Sequence, residues 1–179
     1  MVLVEVSNRH VHLCKDDLEV LFGKDYALTK LKDLSQPGEF AAEEKVSFQN
    51  LEVRVLGPVR AHSQLEISHT DARNLKHKAE LRLSGDVADV PVAEISTELG
   101  SVKVPIIIAK RHLHCSEEDA KRLSLKDGQL VSVRVDNTRP MTFHDIPVRI
   151  KENAKLALHL DADEGNAAGI QGMCEGELI

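Results

Sequence analysis

Arg9-His10-Val11-His12-Leu13-Cys14-Lys15-Asp16-Asp17-Leu18 returns later in the chain as Arg111-His112-Leu113-His114-Cys115-Ser116-Glu117-Glu118-Asp119. Each copy follows a strand-like apolar run, Val2 to Val6 before the first and Val104-Pro105-Ile106-Ile107-Ile108-Ala109 before the second. Each also leads into a helix that opens on acidic residues, which suit the positive end of the helix dipole, with Ser116 as an N-cap in the second copy. In an extended chain the side chains at i and i+2 share a face, so His10 and His12 can reach one metal ion while Val11 turns to the core. The order strand, Arg-His-x-His, acidic helix start and further strand therefore occurs twice. Such a duplication predicts two similar domains, mainly β with short helices (α+β), with both His pairs and a metal site at their junction. The halves are set at residues 1–88 and 89–179, with strands exchanged between them where pairing requires it.

Working outward, Lys15 to Phe22 has helical spacing and stops at Gly23. Pro37-Gly38 marks a turn ahead of the strand-like Ala41–Phe48 region, and Leu51-Glu52-Val53-Arg54-Val55-Leu56 alternates as a half-buried strand that ends at Gly57-Pro58. Beyond that break stand Arg60, Gln64 and Glu66. An arginine past a strand end is placed to fork onto a phosphate, and Glu66 offers the carboxylate that a histidine-only metal site lacks. The plain alternative is a surface arginine and a solvated glutamate. From Ala79 to Val104 short alternating segments with turns at Gly85 and Gly100 have the texture of a small β-barrel or sandwich. Gly128–Val135 and Met141–Ile150 read as strands. His159 lies in the apolar strand Leu156–Asp161, a core histidine if taken alone and a further ligand in a chain that already holds two His pairs. The small residues of Asp163–Gly169 suit close packing or an anion-binding helix start.

The bulk composition narrows the partners. A chain of 179 residues can bury a sizeable core. A net charge of -6, with a pI near 5.8, disfavours a broad phosphate-backbone footprint, and 3% aromatics with no Trp leave little for base stacking. A small molecule is therefore the expected partner, without nucleic acid. No apolar run approaches the roughly 20 residues that span a bilayer, and the N-terminus lacks a secretion signal, so a membrane role is not expected and the cytoplasm is the expected location. Cys14, Cys115 and Cys174 are an odd number without C-x-x-C spacing, which points to reduced thiols.

Several longer motifs occur in one order along nearly the whole chain: Ser7-Asn8-Arg9-His10-Val11-His12-Leu13, Asp33 to Ala41, Leu56-Gly57-Pro58-Val59-Arg60, Ala109-Lys110-Arg111-His112-Leu113-His114 and His159-Leu160-Asp161. Together they resemble the PduL-type phosphate propanoyltransferases, the phosphotransacylases of propanediol utilisation. The resemblance implies the reversible reaction acyl-CoA plus phosphate giving acyl phosphate plus CoA, with propanoyl as the first acyl group and acetyl as the next. It implies two β-barrels and two zinc ions per chain. His10 and His12 match the ligands of the ion associated with the CoA sulfur, and His112, His114 and His159 those of the other. Glu66 matches the carboxylate ligand and Arg60 the phosphate-contacting arginine. Asn8, Arg9 and Arg111, which flank the histidines, are expected to meet substrate. On this reading the His10-Val11-His12 ion is the poorer in ligands and faces the substrate. Phosphate held by Arg60 and zinc attacks the thioester directly, with no covalent acyl-enzyme on Cys14 or Cys115 required.

Gly165 departs from the resemblance by standing where alanine is common. Members packaged in bacterial microcompartments carry an amphipathic extension, whereas seven residues precede Asn8 here. The expectation is a cytoplasmic enzyme, or one in a microcompartment lumen touching shell proteins if such an extension exists. Uncovered sheet edges favour a homodimer. Two rival readings are a binuclear zinc hydrolase acting on a phosphate ester or thioester, and a zinc-stabilised binding module without catalysis. CoA release without phosphate separates the first from transfer, and closed coordination without turnover identifies the second.

Overall fold

Alternating apolar residues set most of the chain into strands. In order the chain forms β1 (Val2–Ser7), β2 (His10–His12), α1 (Lys15–Phe22), β3 (Lys30–Asp33), β4 (Phe40–Phe48), β5 (Leu51–Gly57), β6 (Gln64–Ile67), α2 (His69–Asn74), β7 (Glu80–Arg82), β8 (Val92–Ser96) and β9 (Ser101–Ala109). There follow β10 (His112–Cys115), α3 (Glu117–Leu123), β11 (Leu130–Val135), β12 (Met141–Ile150), β13 (Ala157–Asp161), α4 (Ala162–Ala168) and β14 (Met173–Leu178). This computed structural model describes residues Met1–Ile179. No helix is long and apolar enough to cross a membrane.

The strands sort into two units, Arg9–Ala109 and Met1–Asn8 with Lys110–Ile179. In the latter they close a barrel in the order β1-β13-β10-β12-β11-β14. In the former the sheet runs β3-β4-β5-β2-β6-β9-β7, and β8 pairs with both β4 and β9. Strands β4, β5, β2, β6, β9 and β8 therefore form a ring of their own, joined at its last seam by Ser47 opposite Ser96. Strand for strand the two rings agree. β2 runs parallel to β5 and antiparallel to β6, as β10 runs parallel to β12 and antiparallel to β13. The match continues round, with β6 and β9 parallel like β13 and β1, and with β9 and β8 antiparallel like β1 and β14. The duplication read from the motifs is thus visible in strand connectivity.

The division falls between Ala109 and Lys110 instead of near residue 88, and hydrogen bonding gives the reason. β8 and β9 pair with β4 and β6, which keeps them with the earlier strands. β1, in contrast, is taken up between β13 and β14. Each strand that leads into a His-x-His pair therefore belongs to the other pair's ring.

Each unit buries its own core. Val11, Leu13, Leu18, Leu21, Phe48, Leu65 and Ile106 fill one, and Val4, Leu113, Val133, Ile146, Leu158 and Leu160 the other. Full burial of one such side chain stabilises by about 1.5–3 kcal/mol. In β4 and β5 the alternation is direct, with Val46, Phe48, Val53 and Val55 buried and Ser47 and Glu52 exposed. α1 buries Leu18 and Leu21 and ends at Gly23, whose φ of +107° suits glycine. α2 and α4 each begin with a capping box, Ser68 with Asp71 and Asp161 with Glu164. The acidic residues at the start of α4, and Gly165 lying against Val6, make this segment a packing helix, not an anion-binding start.

Candidate metal centres

β2 is so short that its pleat does little beyond sending Val11 inward and both histidines to the opposite face. Antiparallel pairing with β6 sets His10 opposite Glu66 and His12 opposite Gln64. The three donors converge, with His10 Nε2 3.5 Å and His12 Nε2 3.8 Å from the Glu66 carboxylate. All three residues are buried. Burial, followed by His10 and Arg60, pushes His12 well below the ordinary histidine value, so its ring is neutral with a lone pair to offer. Burial raises the Glu66 carboxyl, but His10 and His12 outweigh it, and the group is held well below the usual carboxylate range.

The second group is built the same way. β10 against β13 sets His112 opposite His159 and His114 opposite Ala157. His112 Nε2 and His114 Nε2 lie 3.0 Å apart, and the His159 ring centroid is 5.5 Å from that of His112 and 4.5 Å from that of His114. Lys110 O lies 3.0 Å from His112 Nδ1. A carbonyl only accepts, so the Nδ1 carries the proton and Nε2 keeps its lone pair toward the group. Burial, then His112 and His159, pushes His114 down to about 2.

In each group one ligand atom per residue falls within 4.8 Å of the others. His12 Nδ1, His114 Nδ1 and His159 Nε2 are buried without a hydrogen-bond partner. Two imidazoles with a carboxylate in the first group, and three imidazoles in the second, are donor sets that fit Zn²⁺ or a similar divalent ion. The sequence expectation of a ligand-poor first group needs correction. Glu66 stands with His10 and His12, so both groups have three donors.

Arg60 reaches the first group through a chain of polar contacts. Its guanidinium donates to Ser84 Oγ at 3.1 Å and meets Glu39 Oε1 at 3.3 Å. Gln64 donates to the same Ser84 oxygen at 2.7 Å and to the Glu66 carboxylate. Its own carbonyl accepts from the Gly85 N–H at 2.8 Å. Glu39, Gln64 and Ser84 were not among the expected site residues. For Gln64 a signal was present, because it lies two positions before Glu66 on a strand and shares its face. Ser84 and Glu39 come from loops with no such register.

The flanking arginines are held differently from Arg60. Arg9 forks onto Asp71, Nε to Oδ2 at 2.9 Å and Nη2 to Oδ1 at 2.7 Å. Arg111 donates to Glu164 at 2.6 Å and to the His144 carbonyl at 2.8 and 3.0 Å. Both carboxylates occupy the third position of their capping boxes, so each arginine ties its His-x-His strand to the helix that follows the third ligand. Asn8 is exposed just ahead of Arg9. Cys14 donates to Asp17 at 3.3 Å, burial and then Asp119 push Cys115 up, and burial pushes Cys174 up.

The chain is similar over nearly its full length to known proteins. A family model described as phosphate propanoyltransferase matches residues 3–171. A phosphate propanoyltransferase of Leptotrichia buccalis is 43% identical over 185 residues, covering 98% of this chain and 87% of the relative. Those of Clostridioides difficile and Lachnoclostridium phytofermentans are 43% and 46% identical, covering 93% and 94% of this chain and 83% of each relative. With two histidine groups in matching rings and a family model that spans both, the chain belongs to the phosphate propanoyltransferase family.

Proposed function

We propose that this protein catalyses reversible transfer of a short acyl group between coenzyme A and inorganic phosphate, with a zinc ion in each histidine group. The observation that carries this reading is the Arg60–Ser84–Gln64–Glu66 chain, which couples a guanidinium suited to phosphate with a three-donor metal group. Propanoyl is the first acyl group to test, because the relatives are named for it.

Bound zinc would supply Lewis acidity toward an acyl or phosphoryl oxygen and a partner for the CoA thiolate. The protein's own residues do the rest. Arg60 presents a planar fork to phosphate, and Ser84 and Glu39 fix the plane of that fork. The 3.3 Å Glu39 contact is long, so an incoming phosphate can replace it on the guanidinium. Gln64 orients Glu66, leaving the carboxylate's charge toward the histidines. Arg9 and Arg111 act as clamps on the two His pairs, while Asn8 keeps a place for substrate at the surface.

Direct attack of phosphate on the thioester suits the thiols as they stand. Burial pushes the Cys115 and Cys174 thiols up, which favours neither as a nucleophile, and the Cys14 thiol donates a hydrogen bond to Asp17. Holding both reactants in one geometry then contributes much of the acceleration. The test is a coupled assay of CoA release from propanoyl-CoA and acetyl-CoA on metal-analysed protein, with and without phosphate. Phosphate-dependent release with acyl phosphate as product is expected. Equal release without phosphate would overturn transfer in favour of hydrolysis.

A further inference from the structure

We infer that the cleft beside α2 and β7 is a second anion site, built for a small organic molecule that carries two phosphate groups. It lies within Arg9–Ala109 and shares no residue with the histidine groups or with the Arg60 chain. Its volume of about 590 Å³ is of the size that holds a small molecule. Arg73, Lys76 and Lys78 all line it, from the single stretch Arg73-Asn74-Leu75-Lys76-His77-Lys78. The end of α2 brings them together. The Lys76 N–H donates to Arg73 O at 3.2 Å and the His77 N–H to Ala72 O at 3.0 Å, with Lys76 at a φ of +52°. This left-handed turn closes the helix and folds the next residues back beside it.

Charge marks the cleft. The chain carries a net -6, and the arginines beside the histidine pairs are each met by a carboxylate, Arg9 by Asp71 and Arg111 by Glu164. Arg73, Lys76 and Lys78 are exposed and have no such partner. Glu80, the only carboxylate in the cleft wall, is engaged by Arg82 at 2.7 Å. A cation in the last turn complements the helix dipole, which accounts for Arg73; Lys78 stands beyond the Leu75 C-cap, where that account ends. Three unpaired cations call for an anion of more than one charge, and the arginine fork suits phosphate oxygens. Ala72, Ala79, Pro91 and Ile108 add an apolar lining, which suits a carbon frame between two phosphates better than free phosphate. The His77 ring is set edge-on to the buried Phe48 ring at 5.4 Å, with its Nδ1 2.8 Å from Lys78 O, so this wall is formed before any ligand arrives. Register separates the cleft from the metal donors. Ile108 pairs with Ile67, and neighbouring strand positions face opposite ways, so Ile108 and Glu66 lie on opposite faces of the sheet.

The test follows backbone amides of the isotope-labelled full-length protein by NMR during titration with fructose bisphosphate, inorganic phosphate and CoA. Saturable shifts at Ala72, Arg73 and Lys76 to Ala79 are expected with the bisphosphate, at a Kd of about 1 mM or tighter. Inorganic phosphate should bind these amides at least about 10-fold more weakly. Replacing all three cations, Arg73→Gln with Lys76→Gln and Lys78→Gln, should also weaken the bisphosphate by at least about 10-fold. Lys121→Gln with Lys126→Gln, which removes exposed charge elsewhere, should leave it unchanged. The same spectra report whether each variant is folded, and Lys78→Gln alone is read in the same way if the triple variant is not. Shifts that never saturate, or that weaken equally in both sets of variants, would overturn the site. Equal affinity for inorganic phosphate would overturn the assignment to two phosphates. Displacement of the bisphosphate from these amides by CoA would overturn a separate site and give the cleft to the acyl-CoA substrate.

Discussion

Glu66 and His159 hold the same place in two rings: each lies directly across an antiparallel pair from the first histidine of an Arg-His-x-His stretch, Glu66 from His10 and His159 from His112. Each is also followed two residues later by the N-cap of a short helix, Ser68 or Asp161. Equal positions predict equal consequences. Glu66→Ala and His159→Ala should each lose one metal equivalent by elemental analysis and lower turnover by at least about 100-fold, since even outer contacts of a metal site cost 10–100-fold. Retention of full metal content by either variant would remove that residue from the ligand set.

Arg60 is expected to act on phosphate alone. Lysine keeps the charge but loses the planar fork, so Arg60→Lys should raise the KM for phosphate by roughly 10-fold, about 1.4 kcal/mol, with metal content unchanged. A rise confined to the acyl-CoA KM would instead place Arg60 at the other substrate.

Glu44 offers a stability test away from both histidine groups. Its carboxylate accepts from Tyr26 Oη and from the Thr29 N–H, both at 2.9 Å. Burial pushes this carboxyl up, but the Thr29 backbone and Tyr26 bonds are among contacts that outweigh it, and the net shift is downward. A lowered folded value means stabilisation that is complete above the unfolded glutamate value, about 4.3, and is lost as pH falls through the folded one. Glu44→Gln should therefore cost about 1–2 kcal/mol in urea melts at pH 7. The gap to the parent protein should narrow toward pH 3. A pH-independent gap would mean that shape, not charge, carries the contact.

Gly165 fits this chain because of Val6. A Cβ at position 165 would meet Val6 Cγ2 at 2.4 Å. Alanine gains helix propensity of about 1 kcal/mol over glycine, whereas overpacking costs about 1–3 kcal/mol. Gly165→Ala should thus be net destabilising by about 1 kcal/mol, and much less so in a Val6→Ala background. Additive effects in the double variant, read by thermal melts, would show that the two residues do not share this space.

Local structure was largely legible in the sequence. The helix over Lys15–Phe22 with its stop at Gly23, the strand over Met141–Ile150 and the common face of His10 and His12 all follow from spacing within a few residues. Glu66 and Arg60 were recognisable by residue type and by resemblance. The assignment of Glu66 to the first group depends on pairing between β2 and β6, which composition does not encode. The two arginines beside the histidines illustrate the same limit. Read alone they look like substrate contacts, yet the capping-box carboxylates that engage them sit more than fifty residues away. The division at Ala109–Lys110 has a related origin: β8 and β9 pair with β4 and β6, and β1 pairs with β13, partners that are far along the chain and leave no local trace.

The crossed assignment of β1 and β9 also sets an order of events on the ribosome. Arg9–Ala109 carries every strand of its own ring and can begin to fold while the remainder is still being translated. Val2–Ser7 emerges earlier than any of this, but waits for Ala157–Asp161 and Met173–Leu178 before it has a sheet to join. A fusion or deletion touching the first few residues would therefore injure the late-made barrel around His112, and leave the nearby His10 ring with all of its strands.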